Sequence, residues 1–292
     1  MKKALYFYLL IFGIFLFFII NLQNIFALDQ ADFSNDLASA NADTYTNHAA
    51  SIEDSYAKAL GTLGLHLYPG TSYKAESVSS ESSLNHCKSL VYQTLVSLPD
   101  DHREQLAHLT LYFADGRRGL GGGSTIILRC SDVSDKEIIS VLVHEMGHVV
   151  DTGLYTGDSS YGKSEFMDGS LSIYNNDLSL RFYSINWEDD KTLKDGAKES
   201  NFVSEYAMTD PFEDFAETYN FYILHGDQFR EIAEFDRSLM RKYLFMKYYI
   251  FKGQEYSNDP YTTTEPFERV YDVTTLNYDE TSFIKTKILA SL

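Results

Sequence analysis

The segment Val143-His144-Glu145-Met146-Gly147-His148 sets two histidines four residues apart, with a glutamate directly after the first. On an α-helix, residues four apart lie one turn apart on the same face. His144 and His148 can therefore aim two imidazole nitrogens at one metal ion. Glu145 projects beside them, placed to take a proton from a water bound to that metal. The H-E-x-x-H pattern predicts one Zn2+ per chain. The plainer alternative is an amphipathic helix carrying two polar histidines. A close-packing glycine on an otherwise apolar helix speaks against it.

The flanks predict the helix. Ser134 followed by Glu137 reads as a capping box, and Asp135 adds negative charge to the first turn. Ile138, Val141, Leu142 and Val149 form the apolar stripe. A catalytic zinc needs a third protein ligand and one open position. Asp151 shares the direction of His144 but stands roughly 10 Å further along the axis. It reads either as an acceptor that orients a ligand histidine or as a solvated residue at the helix end. A second helix is predicted downstream, with Thr209 or Asp210 as N-cap and Pro211 in the first helical position. It carries Glu213 and Glu217 on one face, four residues apart. Spacing alone does not choose between them; the alternative is that Glu213 completes a capping box with Asp210 and Glu217 is solvated.

H-E-x-G-H-x-x-D, followed by Tyr206-Ala207 and by Pro211-Phe212-Glu213-Asp214-Phe215-Ala216-Glu217, resembles the catalytic domain of the anthrax lethal factor-like zinc peptidases. The related Pro-Pro endopeptidases are similar. The likeness runs roughly from Leu98 to Leu224 and is firmest at the two motifs. It implies a zincin architecture, Glu213 as the third zinc ligand, Tyr206 as a donor to the oxyanion and Glu217 as a supporting residue. Chemically this is coherent, because an attacked peptide carbonyl gains negative charge that a metal and a phenolic O–H can stabilise. The alternative for Tyr206, in a chain with 22 tyrosines, is an ordinary core residue.

Leu109–Phe113 and Thr125–Arg129 read as strands, joined by the glycine-rich stretch Gly116–Ser124. A protein or peptide substrate held as an extended strand along a sheet edge above the metal helix is expected, and the Thr125 strand is in the right place to be that edge. The glycines would let substrate backbone approach, or let the loop flex; a plain hairpin connection is the alternative. No Lys-Ser/Thr follows them and they lead into a strand rather than a helix, which makes a phosphate-binding loop a poor alternative.

Met1-Lys2-Lys3 precedes an uncharged apolar run from Ala4 to Ile20 and slightly beyond. Residues 1–27 are expected to be a signal peptide or a membrane anchor, which puts the rest outside the cytoplasm, secreted or N-terminally anchored. Residues 28–83 read as an extracytoplasmic spacer and N-terminal segment with a loop at Ser80–Ser83, residues 84–253 as the metallopeptidase domain, and residues 254–292 as a tail. Helices are expected around Leu90–Val96, over Glu104–His108, and as one long element from Phe229 to Phe251. The net charge of −18 argues against nucleic acid and anionic lipid heads as partners. Cys87 and Cys130 either pair as a disulfide or stay free. His48, His66, His86, His102, His108 and His225 show no ligand spacing, and His225 beside Gly226 looks like a helix end.

The expected fold is α+β: a helix-rich zincin-type domain with a small sheet whose edge strand lines the cleft. The expected activity is that of an extracytoplasmic zinc endopeptidase, in which Glu145 serves as general base toward a zinc-activated water. The alternative is a surface-binding or toxin-like protein that keeps the fold without cleaving.

Overall fold

The computed structural model describes residues 81–257, 268–280 and Phe283, and the backbone of a strand at His66–Gly70. The signal or anchor reading of residues 1–27, the spacer that follows and His48 lie outside the described residues. Among the described residues no helix is long and apolar enough to cross a membrane.

A four-stranded mixed sheet runs β1 (His66–Gly70), β2 (His108–Tyr112), β4 (Thr125–Arg129), β3 (Gly119–Gly122) across its width. The first three are parallel, and β3 is antiparallel to β4 with Leu120 opposite Ile127. Side chains alternate as a half-buried sheet requires. Leu109 and Leu111 of β2 and Ile126 and Leu128 of β4 are buried, while their neighbours are not. Two findings differ from the sequence expectations. The edge beside the metal helix is β3, not the Thr125 strand, which is internal. Strand β1 also comes from ahead of residue 84, so the domain reaches beyond 84–253.

Helix α1 (Glu81–Ser97) begins inside the expected Ser80–Ser83 loop. Helix α2 (Asp135–Val149) carries the histidines, and the Ser134 side chain accepts from the Glu137 N–H at 3.2 Å. Glu137 does not close the capping box; its carboxylate pairs with Arg118 at 2.7 Å. Nearly every residue of α2 after the first turn is buried, because α1, the sheet and helix α3 (Pro211–Leu224) surround it. A π-helical turn, Val150–Leu154, extends it. The disulfide Cys87–Cys130 ties α1 to the end of β4.

The expected Glu104–His108 helix is instead a single turn at Asp100–Arg103, behind Pro99. The long Phe229–Phe251 helix is broken into α4 (Gly226–Ala233), α5 (Arg237–Phe245) and a π-helical turn, Met246–Ile250. The cause is Asp236, whose carboxylate caps the Ser238 and Leu239 N–H groups and so starts a new helix. Phe235, counted in the apolar stripe, is 86% exposed at the break. His225 does stand at a helix end, between α3 and α4. A hairpin, β5 (Lys163–Asp168) and β6 (Leu171–Tyr174), follows the metal helix. Residues 268–280, in the region read as a tail, pack on the domain and bury Val273 and Tyr278.

Candidate metal centre

Helices α2 and α3 lie close enough to share a site because Gly147 faces α3. A Cβ at position 147 would sit 2.8 Å from the Ala216 Cα and 3.2 Å from the Tyr219 Cβ. Asn220 fastens the same pair of helices, donating to the Ser140 carbonyl at 2.7 Å. The N-terminus of α3 is set by Asp210, with Pro211 in the first position; Asp210 accepts from the Phe212 and Glu213 N–H groups at 3.0 and 2.8 Å. Glu213 therefore sits in the first turn with a fixed backbone.

These constraints bring His144, His148 and Glu213 together, with one ligand atom from each lying within 4.8 Å of the others. Both histidines turn Nε2 toward Glu213 Oε2, at 3.2 and 3.4 Å. That oxygen is buried and otherwise unsatisfied. One turn further, the fully buried Glu217 places Oε1 2.9 Å from His144 Nδ1. Its Oε2 accepts from Ser204 Oγ at 2.6 Å and from the Val273 N–H at 2.9 Å. A carboxylate at Nδ1 favours the tautomer that leaves Nε2 free to bind a metal. Two histidines and one carboxylate beside a cleft are a donor set that fits a zinc ion.

The electrostatics agree. Burial alone would lower His144, but the carboxylates of Glu213 and Glu217 outweigh it and hold the ring well above its ordinary value. Burial would likewise raise Glu213, yet the two rings hold it far below the carboxylate range. The carboxylate charge that favours a proton on these rings would equally favour a divalent cation between them.

Glu145 faces the sheet. Its carboxylate rests against the β3 backbone and accepts from the Gly121 N–H. A Cβ at Gly121 would lie 2.5 Å from the Glu145 carbonyl oxygen and 2.9 Å from Oε2, and one at Gly119 would overlap Oε1. Gly119 and Gly121 make room for Glu145. Burial raises the Glu145 carboxyl, and the two histidines pull it back.

Tyr206 opens a 3-10 turn, Tyr206–Met208, that Ser204 Oγ caps at the Ala207 N–H. Its hydroxyl donates to Glu213 Oε1 at 2.9 Å. Its backbone N–H donates to the Tyr271 carbonyl at 2.7 Å. Burial, and then the Glu213 charge, push the phenol above its ordinary range, so it stays a donor.

Asp151 is 1% exposed, which removes the solvated reading. Its Oδ2 accepts from Tyr183 at 2.6 Å and its Oδ1 has no hydrogen-bond partner among the described residues. Burial, and then the Asp177 charge, push its carboxyl up to about 8 against the Ser179 and Tyr183 hydrogen bonds. The carboxylate that reaches a motif histidine is Glu217, so the solvated alternative for that residue also falls.

The cleft above the site has a volume of about 550 Å3, and His144, Glu145, His148, Glu213 and Tyr206 line it. Three contributors had no reading in the sequence. Ser204 lies within the motif but its role depends on a fold-back. Val273 acts through its backbone N–H, which no residue type reveals. Arg118 bridges Glu137 and Asp272, both at 2.7 Å, joining β3, α2 and the C-terminal segment.

A family model described as "putative zinc-binding metallo-peptidase" matches residues 135–281, half of the chain. The match begins with α2 and includes both motifs and the segment that carries Val273. No curated protein and no solved structure matches the chain.

Proposed function

The chain belongs to this family of zinc-binding metallopeptidases, and on that premise we propose that it is a zinc-dependent endopeptidase that works outside the cytoplasm. The observation that carries the reading is the convergence of His144, His148 and Glu213 beneath a cleft that also holds Glu145 and Tyr206.

Zinc held by these three side chains supplies a Lewis acid that polarises water and a peptide carbonyl. The remaining chemistry belongs to the chain. Glu145, raised by burial and steered by the Gly121 N–H, takes a proton from the attacking water and delivers it to the leaving amine. Tyr206, kept protonated, donates toward the oxygen on which charge develops, and in the resting site that hydrogen bond goes to Glu213. Glu217 holds the His144 ring in place. The substrate is a protein or peptide laid as an extended strand beside β3, the sheet edge nearest Glu145.

The positions of Glu213, Tyr206 and Glu217 also support the narrower kinship with lethal factor-like peptidases. The uncharged run after Lys2 and Lys3 and the Cys87–Cys130 disulfide support an extracytoplasmic setting. The test is elemental analysis of the chain from Leu28 onward beside its Glu213→Ala and Glu145→Gln variants. One zinc per chain is expected in the wild type and in Glu145→Gln, with loss in Glu213→Ala. Peptide hydrolysis is expected in the wild type alone. A wild type that takes up no zinc, or a fully active Glu145→Gln, overturns the reading.

A further inference from the structure

Five charged residues line the cleft besides those already given roles at the metal centre: Arg117, Arg118, Asp168, Asp210 and Asp272. Three of them are engaged within the fold. Arg118 and Asp272 pair with each other at 2.7 Å, and Asp210 caps α3. For the side chains of Arg117 and Asp168 the structure gives neither a hydrogen bond nor an ion pair among the described residues, and both are exposed. They are opposite in charge and come from different elements.

Arg117 leads into β3, and its neighbour Arg118 reaches Glu137, two turns of α2 ahead of Glu145. Val141, one turn before Glu145, lines the cavity on that side. Asp168 ends β5 at the hairpin turn, and its carboxylate feels the charges of His148 and Glu213. Surroundings crowded enough to desolvate it raise its carboxyl despite its exposure. A net charge of −18 repels acidic substrates over the whole surface, which makes an unengaged arginine at the cleft a local exception.

We propose that Arg117 and Asp168 set the cleavage preference by charge, selecting substrates with an acidic side chain on one side of the cut bond and a basic one on the other. The inference rests on the peptidase reading above. It assigns specificity to two residues outside the metal centre. A charge pair formed in a partly enclosed cleft changes affinity about tenfold when one partner is removed.

The experiment is cleavage of a peptide library by the zinc-loaded protein, with the products sequenced by mass spectrometry. Acidic residues are expected to be enriched within a few positions on one side of the cut and basic residues on the other. Arg117→Ala is expected to erase the acidic preference alone, Asp168→Asn the basic preference alone, each lowering kcat/KM for a charge-matched peptide about tenfold. Arg117→Glu with Asp168→Lys is expected to reverse the order. Cleavage with no charge preference, or a preference that survives both single substitutions, overturns the proposal.

If the wild type cleaves nothing, the peptidase reading fails separately. Binding of fluorescent charge-patterned peptides to the zinc-loaded Glu145→Gln protein then decides this proposal. Tighter binding of peptides carrying both charges, lost in the two variants, supports it; equal binding of all peptides overturns it.

Discussion

His144 is held at both nitrogens, by Glu213 on the side facing the cleft and by Glu217 on the side facing the core. The second contact governs how firmly the ring presents Nε2. Glu217→Gln is expected to weaken zinc about 10- to 100-fold, read by competition with a chelator, while the fold persists; unchanged affinity removes the orienting role. Tyr206→Phe is expected to lower turnover with zinc content intact, and unchanged kinetics would return Tyr206 to a packing role. Asp151 gives a pH signature. Its carboxyl is raised from 3.8 to about 8 in the fold, so the folded protein binds the extra proton between those values. Stability of the metal-free protein therefore falls as pH rises through that window, and Asp151→Asn is expected to flatten the fall in a thermal melt taken from pH 5 to 8. An identical slope in the variant would mean that the wild-type carboxyl is not protonated there. At this scale the pairing of His144 with His148 was legible because a four-residue interval fixes a helical face by itself. Glu213 and Glu217 share a face, and only the fold shows that one borders the cleft and the other the core.

Helix α2 works as a wedge between β3 and α3, touching each through a missing side chain. Gly147→Ala would drive a methyl group into Ala216 and Tyr219, and separating packed helices costs about 1–3 kcal/mol. Its effect should register as a lower melting temperature together with weaker zinc, since the two ligand helices part. Gly121→Ala acts on the other side, where the new Cβ meets the Glu145 backbone and carboxylate. Zinc uptake is expected to persist while kcat/KM falls about 100-fold, the scale for displacing a reacting group by an ångström. Full activity in that variant would show that Glu145 does not depend on the strand. Strand β3 was hard to read because Gly-Leu-Gly-Gly carries one side chain and no β propensity. The break after α4 was hidden for a different reason: apolar periodicity continues across Asp236, and a single capping carboxylate decides against it.

Across the whole molecule, the sheet takes β1 from ahead of the helical core and the site takes Asp272 and Val273 from beyond it. Val273, Tyr278 and Phe283 are all buried, and three such side chains contribute roughly 5–9 kcal/mol as an upper estimate. That is comparable to the whole stability of a typical domain, about 5–15 kcal/mol. A chain stopped after Ser257 is therefore expected to melt far lower and to hold zinc poorly; retention of both would show that the C-terminal segment only decorates the surface. These closures escaped the sequence because backbone donors and fold-back ion pairs leave no periodic trace. The Val273 N–H bond to Glu217 has a consequence for timing. A ribosome delivers the amino end first, so both histidines and both glutamates emerge well before residue 273. Until that N–H arrives, Glu217 lacks a backbone partner and the His144 ring lacks its full support. The support of the His144 ring is thus completed by a residue made long after both motifs.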